Sequence, residues 1–335
     1  MAARPTRLSC ALLLAASLFT PAPARADVDD EFTLVDEAFD PDQQDAGFFT
    51  APKLPEVRLR AEVRGVYDQD FGSADVSSLR SGGVLRLLWP LSRRVVLGFI
   101  AGSEVEVFDF DGNKRFLNTG RTSGDPFDNL TATQFRIGGR YVVNEDWSIN
   151  VAGFVTSRFE EDASFRDGVQ GGGVLAANYT FRDRLTLLFG AGIVSRLDRS
   201  GLGTIPILGF SWKINDRLVL KSEGMGLRFS ADLTDKLKGS LFGGWRARRY
   251  RLDDRRDGPA GVNTGSLRDR RALVGVGLLW QISQNWSLEA KMGSVVYRQF
   301  KVADFTGDEF DEVSGDPAFS GSLRLQFRFL PWKER

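Results

Sequence analysis

Residues 133–156 constrain the fold of this chain more than any other stretch. Two runs of alternating polar and apolar residues flank a short turn at residues 144–146. In the second run, Trp147, Ile149 and Val151 alternate with polar side chains. Successive side chains in a strand point to opposite faces, so this period of two predicts a β-hairpin with one apolar and one polar face.

The same unit recurs along most of the chain, with short polar turns alternating with longer polar connections. The short turns are predicted at residues 91–94, 144–146, 182–184, 215–217, 234–236 and 283–285. The longer connections are predicted at residues 68–80, 109–131, 160–168, 197–203, 253–268 and 303–316. Short turns at one end and long loops at the other are typical of a membrane β-barrel with a wet interior.

This organisation predicts an all-β protein: a single transmembrane antiparallel β-barrel over residues 57–330. We expect about fourteen strands, with twelve as the next count. The count depends on residues 218–232, where Gly224 can begin a tight turn between two short strands. Taken as one strand, the same residues would make the count odd, which bacterial single-chain barrels avoid. The aromatic residues predicted to face lipid are Phe135, Trp147, Phe181, Trp286, Phe327 and Phe329.

The N-terminus has the features of a secretory signal. Arg4 and Arg7 precede a short apolar run, and a small-residue cleavage sequence ends at residue 26. We therefore predict that residues 1–26 are a signal peptide and that the protein is exported. The single cysteine, Cys10, lies inside this segment, so no disulfide and no cysteine-ligated metal are expected in the mature chain.

Residues 27–56 differ in composition from everything that follows. They hold ten acids against one base, together with three prolines. We predict an acidic N-terminal periplasmic segment. It either stays a solvated tail or acts as a plug or tether at the mouth of the barrel, since the rest of the mature chain is net positive. Residues 331–335 are predicted to form a short C-terminal tail.

The last predicted strand carries the clearest alternation, with Leu325, Phe327 and Phe329 on one face. This strand resembles the final strand of the bacterial outer-membrane β-barrel (porin-like) families, and the resemblance covers about residues 57–329. The resemblance is architectural. It implies a place in the bacterial outer membrane, contact with outer-membrane lipids, and insertion by the barrel-assembly machinery. The chain departs from the pattern in residues 330–335, which move the terminal aromatic away from the C-terminus.

The composition excludes several kinds of chemistry. The chain contains no histidine, which removes Ser-His-Asp and Cys-His catalytic groups and His-ligated zinc. The pairs Glu104 with Glu106 and Glu223 with Asp232 are candidates for a two-carboxylate site, but we interpret them as partners of arginines. No enzyme activity, cofactor or metal is predicted. The charge balance of the chain also argues against a nucleic-acid partner.

Assigning faces by alternation predicts a basic lumen. Placing Arg or Lys on the lipid face costs roughly 2–4 kcal/mol at mid-membrane, so charged positions are assigned inward. The predicted lumen-lining bases are Arg58, Arg60, Arg64, Arg86, Arg136, Arg140, Arg158, Lys221, Arg228, Lys238, Arg246, Arg248, Lys291, Arg324 and Arg328. The predicted lumen-lining acids are Glu62, Glu104, Glu106, Glu223, Asp232 and Glu289.

Two functions remain open from the sequence. The first is a passive pore whose basic lumen favours small anionic solutes, because an excess of bases attracts anions. The alternative is a non-conducting structural or adhesive barrel that acts through its extracellular loops. In that case, salt bridges between the inward bases and acids fill the interior.

Overall fold

The computed structural model describes residues 55–113, 116–119, 125–197, 201–253, 264–304 and 307–329, and most of them lie in β-strands. The strands are β1 (Glu56–Asp70), β2 (Ala74–Pro90), β3 (Val95–Gly112), β4 (Leu130–Val142), β5 (Trp147–Glu160), β6 (Val169–Phe181), β7 (Leu185–Ser195), β8 (Leu202–Lys213), β9 (Leu218–Ser222), β10 (Met225–Thr234), β11 (Leu237–Arg251), β12 (Thr264–Gln281), β13 (Trp286–Asp304), β14 (Glu309–Gly315) and β15 (Ala318–Phe329). The predicted signal peptide, nearly all of the acidic segment and residues 331–335 lie outside the described residues. Within the described residues, no helix is long and apolar enough to cross a membrane.

The strands close into an antiparallel barrel. Neighbours pair in chain order from β1 to β13, and β15 pairs with both β13 and β1. The closing seam between β1 and β15 runs from Val57 opposite Phe329 to Tyr67 opposite Phe319. Every strand of the ring therefore has a neighbour on each side over part of its length.

Strands β14 and β15 occupy one place in this ring. Gly315 of β14 lies opposite Arg298 of β13. Ala318 of β15 lies opposite Val295 in the same register. The interruption between them contains Pro317, which has no N–H to donate to the ladder. The described strands thus form a fourteen-membered barrel, which confirms the predicted fold and count.

Six short turns define one end of the barrel, called the inner end here, and they fall where the sequence predicts them. Side chains hold several of these turns. Asn144 Oδ1 accepts hydrogen bonds from the backbone N–H groups of Asp146 and Trp147, at 3.0 and 2.8 Å. Asn215 does the same for Arg217 and for Leu218, the first residue of β9. Short side chains of this kind satisfy the turn backbone locally, so the strands reverse within a few residues.

Two of the predicted long connections, residues 68–80 and 303–316, are largely strand, and a third, residues 109–131, begins with strand, so those predictions were wrong in part. β2 begins at Ala74 instead of after residue 80, β3 continues to Gly112, and β14 occupies much of residues 303–316. In the extensions of β2 and β3, the aspartates that indicated loops lie on the exposed face. Val76, Phe108 and Phe110 on the inward face are packed in the interior, so these extensions persist as strands.

An apolar cluster, called the outer core here, fills the barrel at the end opposite the short turns. Inward side chains of the strand extensions meet Leu117 and Phe127 from the connection between β3 and β4. The ring of Phe127 stands edge-on to those of Phe108 and Phe110, at 4.9 and 5.1 Å between centroids. The buried members of the outer core are Phe71, Val76, Phe110, Leu117, Phe127, Leu130, Ala132, Tyr250, Leu252, Leu267, Phe300 and Val302.

The outside of the barrel is apolar. Aromatic side chains gather next to the short turns, where Trp147 packs against Tyr179 and Trp286 against Phe327, at 4.8 and 4.7 Å between ring centroids. All six aromatics predicted to face lipid lie on this surface, and Phe327 is half-covered by its tryptophan neighbour. An apolar outer band with aromatics at its edge suits a barrel surrounded by lipid.

Candidate functional site

Between the outer core and the inner end, the barrel contains a cavity of about 210 Å³. Eight bases and three acids line it, so its wall has a net positive charge. The charged lining residues are Arg60, Glu62, Arg64, Arg80, Glu104, Glu223, Arg228, Arg246, Arg248, Lys291 and Arg324. A wall of low dielectric that carries one sign of charge concentrates ions of the opposite sign.

Strand alternation places these charges. In β1, Arg60, Glu62 and Arg64 occupy every second position and point into the cavity. Leu59 and Val63 alternate with them, and they are 49% and 47% exposed on the outside. The period of two therefore separates charge from lipid within one short stretch of sequence.

An ion-pair network, called the inner network here, crosses the lumen on the side of the cavity nearer the short turns. Arg324 lies 2.7 Å from Glu62 and 2.9 Å from Glu289. The Glu289 carboxylate also lies 3.1 Å from Arg228 and 3.2 Å from Lys291. Glu62 also lies 2.7 Å from Arg64, so each of these carboxylates faces more than one base, and β1, β10, β13 and β15 are tied together through the lumen.

A second network, called the outer network here, lies on the side of the outer core. The carboxylate of Glu106 contacts Arg80 and lies 3.0 Å from Arg271 and 3.4 Å from Arg298. Arg298 also lies 3.0 Å from Asp269. All five side chains are buried. Buried charges are tolerated when partners and hydrogen bonds satisfy them, and this network supplies both.

The structure brings many of the predicted lumen residues together, but not all in one place. Those at the cavity are Arg60, Glu62, Arg64, Glu104, Glu223, Arg228, Arg246, Arg248, Lys291 and Arg324. Those in ion pairs or networks beside it are Glu106, Lys221 and Glu289. Those near the inner end are Arg58 and Arg328, which pair with Glu56, and Lys238, which pairs with Asp232. Those on the inward face of their strands but away from the cavity lining are Arg86, Arg136, Arg140 and Arg158.

The prediction missed four members of the outer network and the cavity wall: Arg80, Asp269, Arg271 and Arg298. Residues 268–271 have charges at consecutive positions, so no period of two is visible there. Arg80 was assigned to a loop that is strand in the structure. A signal for the longer strands does exist, because Phe108 and Phe110 alternate with aspartates.

The acids considered as catalytic pairs are engaged by bases. Glu104 contacts Arg248 and lies 3.7 Å from Arg80. Glu223 lies 2.5 Å from Arg228. Asp232 is at the other end of β10, paired with a lysine. The arrangement is that of structural ion pairs, and within the described residues no group of three or more potential metal ligands occurs.

The family model described as Domain of unknown function (DUF6268) matches residues 124–330, more than half of the chain. The chain belongs to this family. The match begins before β4 and runs to the end of β15, so it takes in most of the cavity-lining strands and leaves out β1 to β3. No curated protein matches the chain in sequence.

Several solved barrels are similar in architecture. The COG4313 outer membrane channel from Pseudomonas putida F1 is 10% identical with a TM-score of 0.45, over 85% of this chain and 99% of that one. A Pseudomonas aeruginosa FadL homologue is 12% identical with a TM-score of 0.44, over 84% of this chain and 91% of that one. The translocator domain of the autotransporter NalP from Neisseria meningitidis is 12% identical with a TM-score of 0.33, over 91% of this chain and all 100% of that one. These similarities concern the barrel alone, and nothing about a cargo follows from them.

Proposed function

We propose that this protein is a passive outer-membrane channel that admits small anionic solutes to its basic cavity. The observation that carries the proposal is the composition of the cavity wall, where eight bases face three acids. The inner and outer networks engage the acids, but the bases outnumber them, so a positive potential remains for a mobile anion. The role is one of passage, with no catalytic step.

The size of the cavity sets the class of solute. A cavity of about 210 Å³ is large enough for several water molecules. Inorganic anions and short carboxylates fit that volume. Arg246 is the natural first contact, because its side chain is exposed where it lines the cavity.

Ion selectivity in a planar bilayer tests this function. Under a salt gradient, we expect a reversal potential of the sign that anion preference gives, and it should shrink as salt rises, since charges are screened over about 10 Å at 0.1 M. Arg246→Glu should lower the preference. Arg93→Glu makes the same charge change in an exposed turn and should leave the preference unchanged. Cation preference in the unaltered protein would overturn the proposal.

A structural barrel is the second candidate, and two observations favour it. The outer core closes the barrel with buried aromatic side chains. The outer network beneath it ties five buried charged residues together across the lumen. If the unaltered protein shows no conductance under any salt condition, the role lies in its outer surface instead of its cavity.

A further inference from the structure

The inward faces of β5 to β8 are apolar along much of their length. Their side chains form a cluster, called the apolar wall here, whose buried members are Phe154, Val174, Ala176, Leu188, Val194, Ile205 and Ile207. None of these seven residues lines the basic cavity. Barrels with a water-filled interior carry polar residues on this face. The apolar wall is therefore a second region of the lumen, chemically distinct from the basic cavity.

The apolar wall is covered from the lumen side. The ring of Phe154 lies over Gly172 of the neighbouring strand, where an added Cβ atom would come within 2.6 Å of it. A ring that lies along the wall presents its other face to the lumen, yet Phe154 is 6% exposed. Ala176 carries only a methyl group and is 2% exposed. Neighbouring side chains of one wall cover the flanks of such groups and not their tops, so something else lies against this surface.

The opposite side of the barrel does not provide an apolar cover. Within the described residues, the apolar side chain packed against the cluster from outside it is Ala152, which belongs to β5 itself. Across the lumen, Lys291 and Arg228 lie 3.2 and 3.1 Å from Glu289, and Lys221 lies 3.5 Å from Glu223. These bases are engaged by carboxylates on their own side. The cover for the apolar wall therefore needs apolar side chains of its own.

Residues 27–54, which lie outside the described residues, have the composition that such a cover needs. They contain four phenylalanines, at positions 32, 39, 48 and 49, together with nine acids and one base. Solvated tails contain few aromatic residues, because burying them would favour order. A segment with both kinds of residue can place its rings on an apolar surface and its carboxylates beside bases.

Arginines border the apolar wall on the side of β2 and β4. Arg136 lies directly opposite Phe154 on the neighbouring strand. Arg136 and Arg86 both lie opposite Ile100 of β3, from its two sides, so they continue the same row across the wall. They are 6% and 4% exposed. The described inward face of β4 to β8 carries one acid, Glu160, at its outer end. The charge of this side of the lumen thus complements that of residues 27–54.

The segment joins the barrel at the end from which it can reach the wall. It leads into β1 at the inner end, where Glu56 is 2% exposed and lies 2.7 Å from Arg328. Leu188 of the apolar wall is the fourth residue of β7, counted from an inner turn. At about 3.3 Å per residue, an extended segment of this length exceeds the ~30 Å of a bilayer core. Residues 331–335 follow from the same end, but their two bases against one acid have the wrong sign.

We propose that residues 27–54 enter the lumen from the inner end and dock along the apolar wall, with their phenylalanines against it and their acids toward Arg86 and Arg136. The docked segment lines one side of the lumen, while the basic cavity lies on the other. This inference goes beyond the proposed function and does not depend on it, because the apolar wall contributes no residue to the lining of the cavity.

Photo-crosslinking in the full chain tests the docking. p-Benzoylphenylalanine in place of Phe39 should crosslink to inward residues of β5 to β8 when the protein is irradiated in lipid vesicles, as read by mass spectrometry of the peptides. The same group in place of Phe319, which faces lipid and is 57% exposed, should give no crosslink to those residues. Crosslinks from position 39 to the inner turns alone, or no crosslink to the barrel, would overturn the docking.

Thiol labelling measures how the acids hold the segment on the wall. Cys10 is the single cysteine of the sequence and lies in the predicted signal peptide, so Ala176→Cys introduces the only thiol expected in the exported chain. A charged, water-soluble maleimide should react with it slowly. Neutralising four acids of the segment should speed the reaction at least about tenfold, the change expected when one charge-assisted hydrogen bond is lost. The substitutions are D36N, E37Q, D40N and D42N.

Two controls accompany the labelling. The same number of exposed acids at the outer ends of β1 to β3 is neutralised by D68N, D75N, D109N and D111N, which should leave the rate at position 176 unchanged. Ser322→Cys at the basic cavity should react at one rate with and without the changes in the segment. Fast labelling of Ala176→Cys in the otherwise unaltered chain would overturn the docking, and equal rates in all variants would overturn the part played by the acids. If Ala176→Cys does not assemble, the crosslinks from position 39 decide.

Discussion

At the scale of single residues, Glu106 is the acid on which the outer network depends. It is 1% exposed, and three arginines share its carboxylate. These bases come from β2, β12 and β13, so one carboxylate holds three strands at the level just beneath the outer core. Without it, the arginines would stay buried with too little opposite charge.

Glu106→Gln should therefore destabilise the barrel strongly. Breaking a buried ion pair by removing one partner costs about 3–5 kcal/mol, because the remaining charge stays desolvated. The free energy of unfolding, measured by denaturant titration in lipid vesicles, checks this. Glu312→Gln is the matched control, since Glu312 is 60% exposed in its pair with Lys301 and such pairs contribute at most about 1 kcal/mol. Equal losses for the two variants would mean that the outer network is not a stabilising unit.

At the scale of the strand, β15 shows how alternation divides lipid from lumen. Leu323 and Leu325 are 54% and 41% exposed on the outside. Arg324 between them is buried in the inner network, and Gln326 continues the inward face opposite Arg60. A shift of one residue would turn every one of these side chains to the wrong face.

Leu325→Arg should impair assembly, whereas Gln326→Arg should not. The first places a charge in lipid at a cost of roughly 2–4 kcal/mol, and the second adds one to a wet lumen. The fraction of protein that is folded in the membrane, read from the difference in gel mobility between heated and unheated samples, is the measurement. Similar yields for both variants would contradict the assignment of faces along this strand.

The sequence predicts strands well where the two faces of a strand differ in polarity. It predicts the partners of the ion pairs poorly. β4 to β7 and β15 follow directly from period-two alternation, because lipid and lumen require opposite chemistry. The ion pairs do not follow from it, since Glu106 and Arg271 are 165 residues apart and meet only when the ring closes. The outer extensions of the strands were not predicted, because polar residues on one face indicated loops. The aromatic residues on the other face form part of the outer core.

At the scale of the whole molecule, the interior is layered. The inner network, the basic cavity, the outer network and the outer core follow one another from the short turns outward. The first three are polar, and the outer core is an apolar closure. Passage straight through the barrel therefore requires the outer core to open.

Phe127→Ala tests which layer controls passage. Phe127 is 1% exposed and packs against Phe108, Phe110 and Phe300 at ring distances of 4.9, 5.1 and 5.5 Å, yet it belongs to a connection and not to a strand. Removing its ring leaves a cavity in the outer core, at a cost of about 3–5 kcal/mol, while the strand pairing of the barrel is retained. We expect single-channel conductance to rise above that of the unaltered protein.

Phe319→Ala is the matched control. It removes a phenylalanine ring from the lipid-facing side, where Phe319 is 57% exposed, and should leave conductance unchanged. If Phe127→Ala conducts no better than the unaltered protein, the outer core is not the barrier, and the outer network becomes the layer to weaken next.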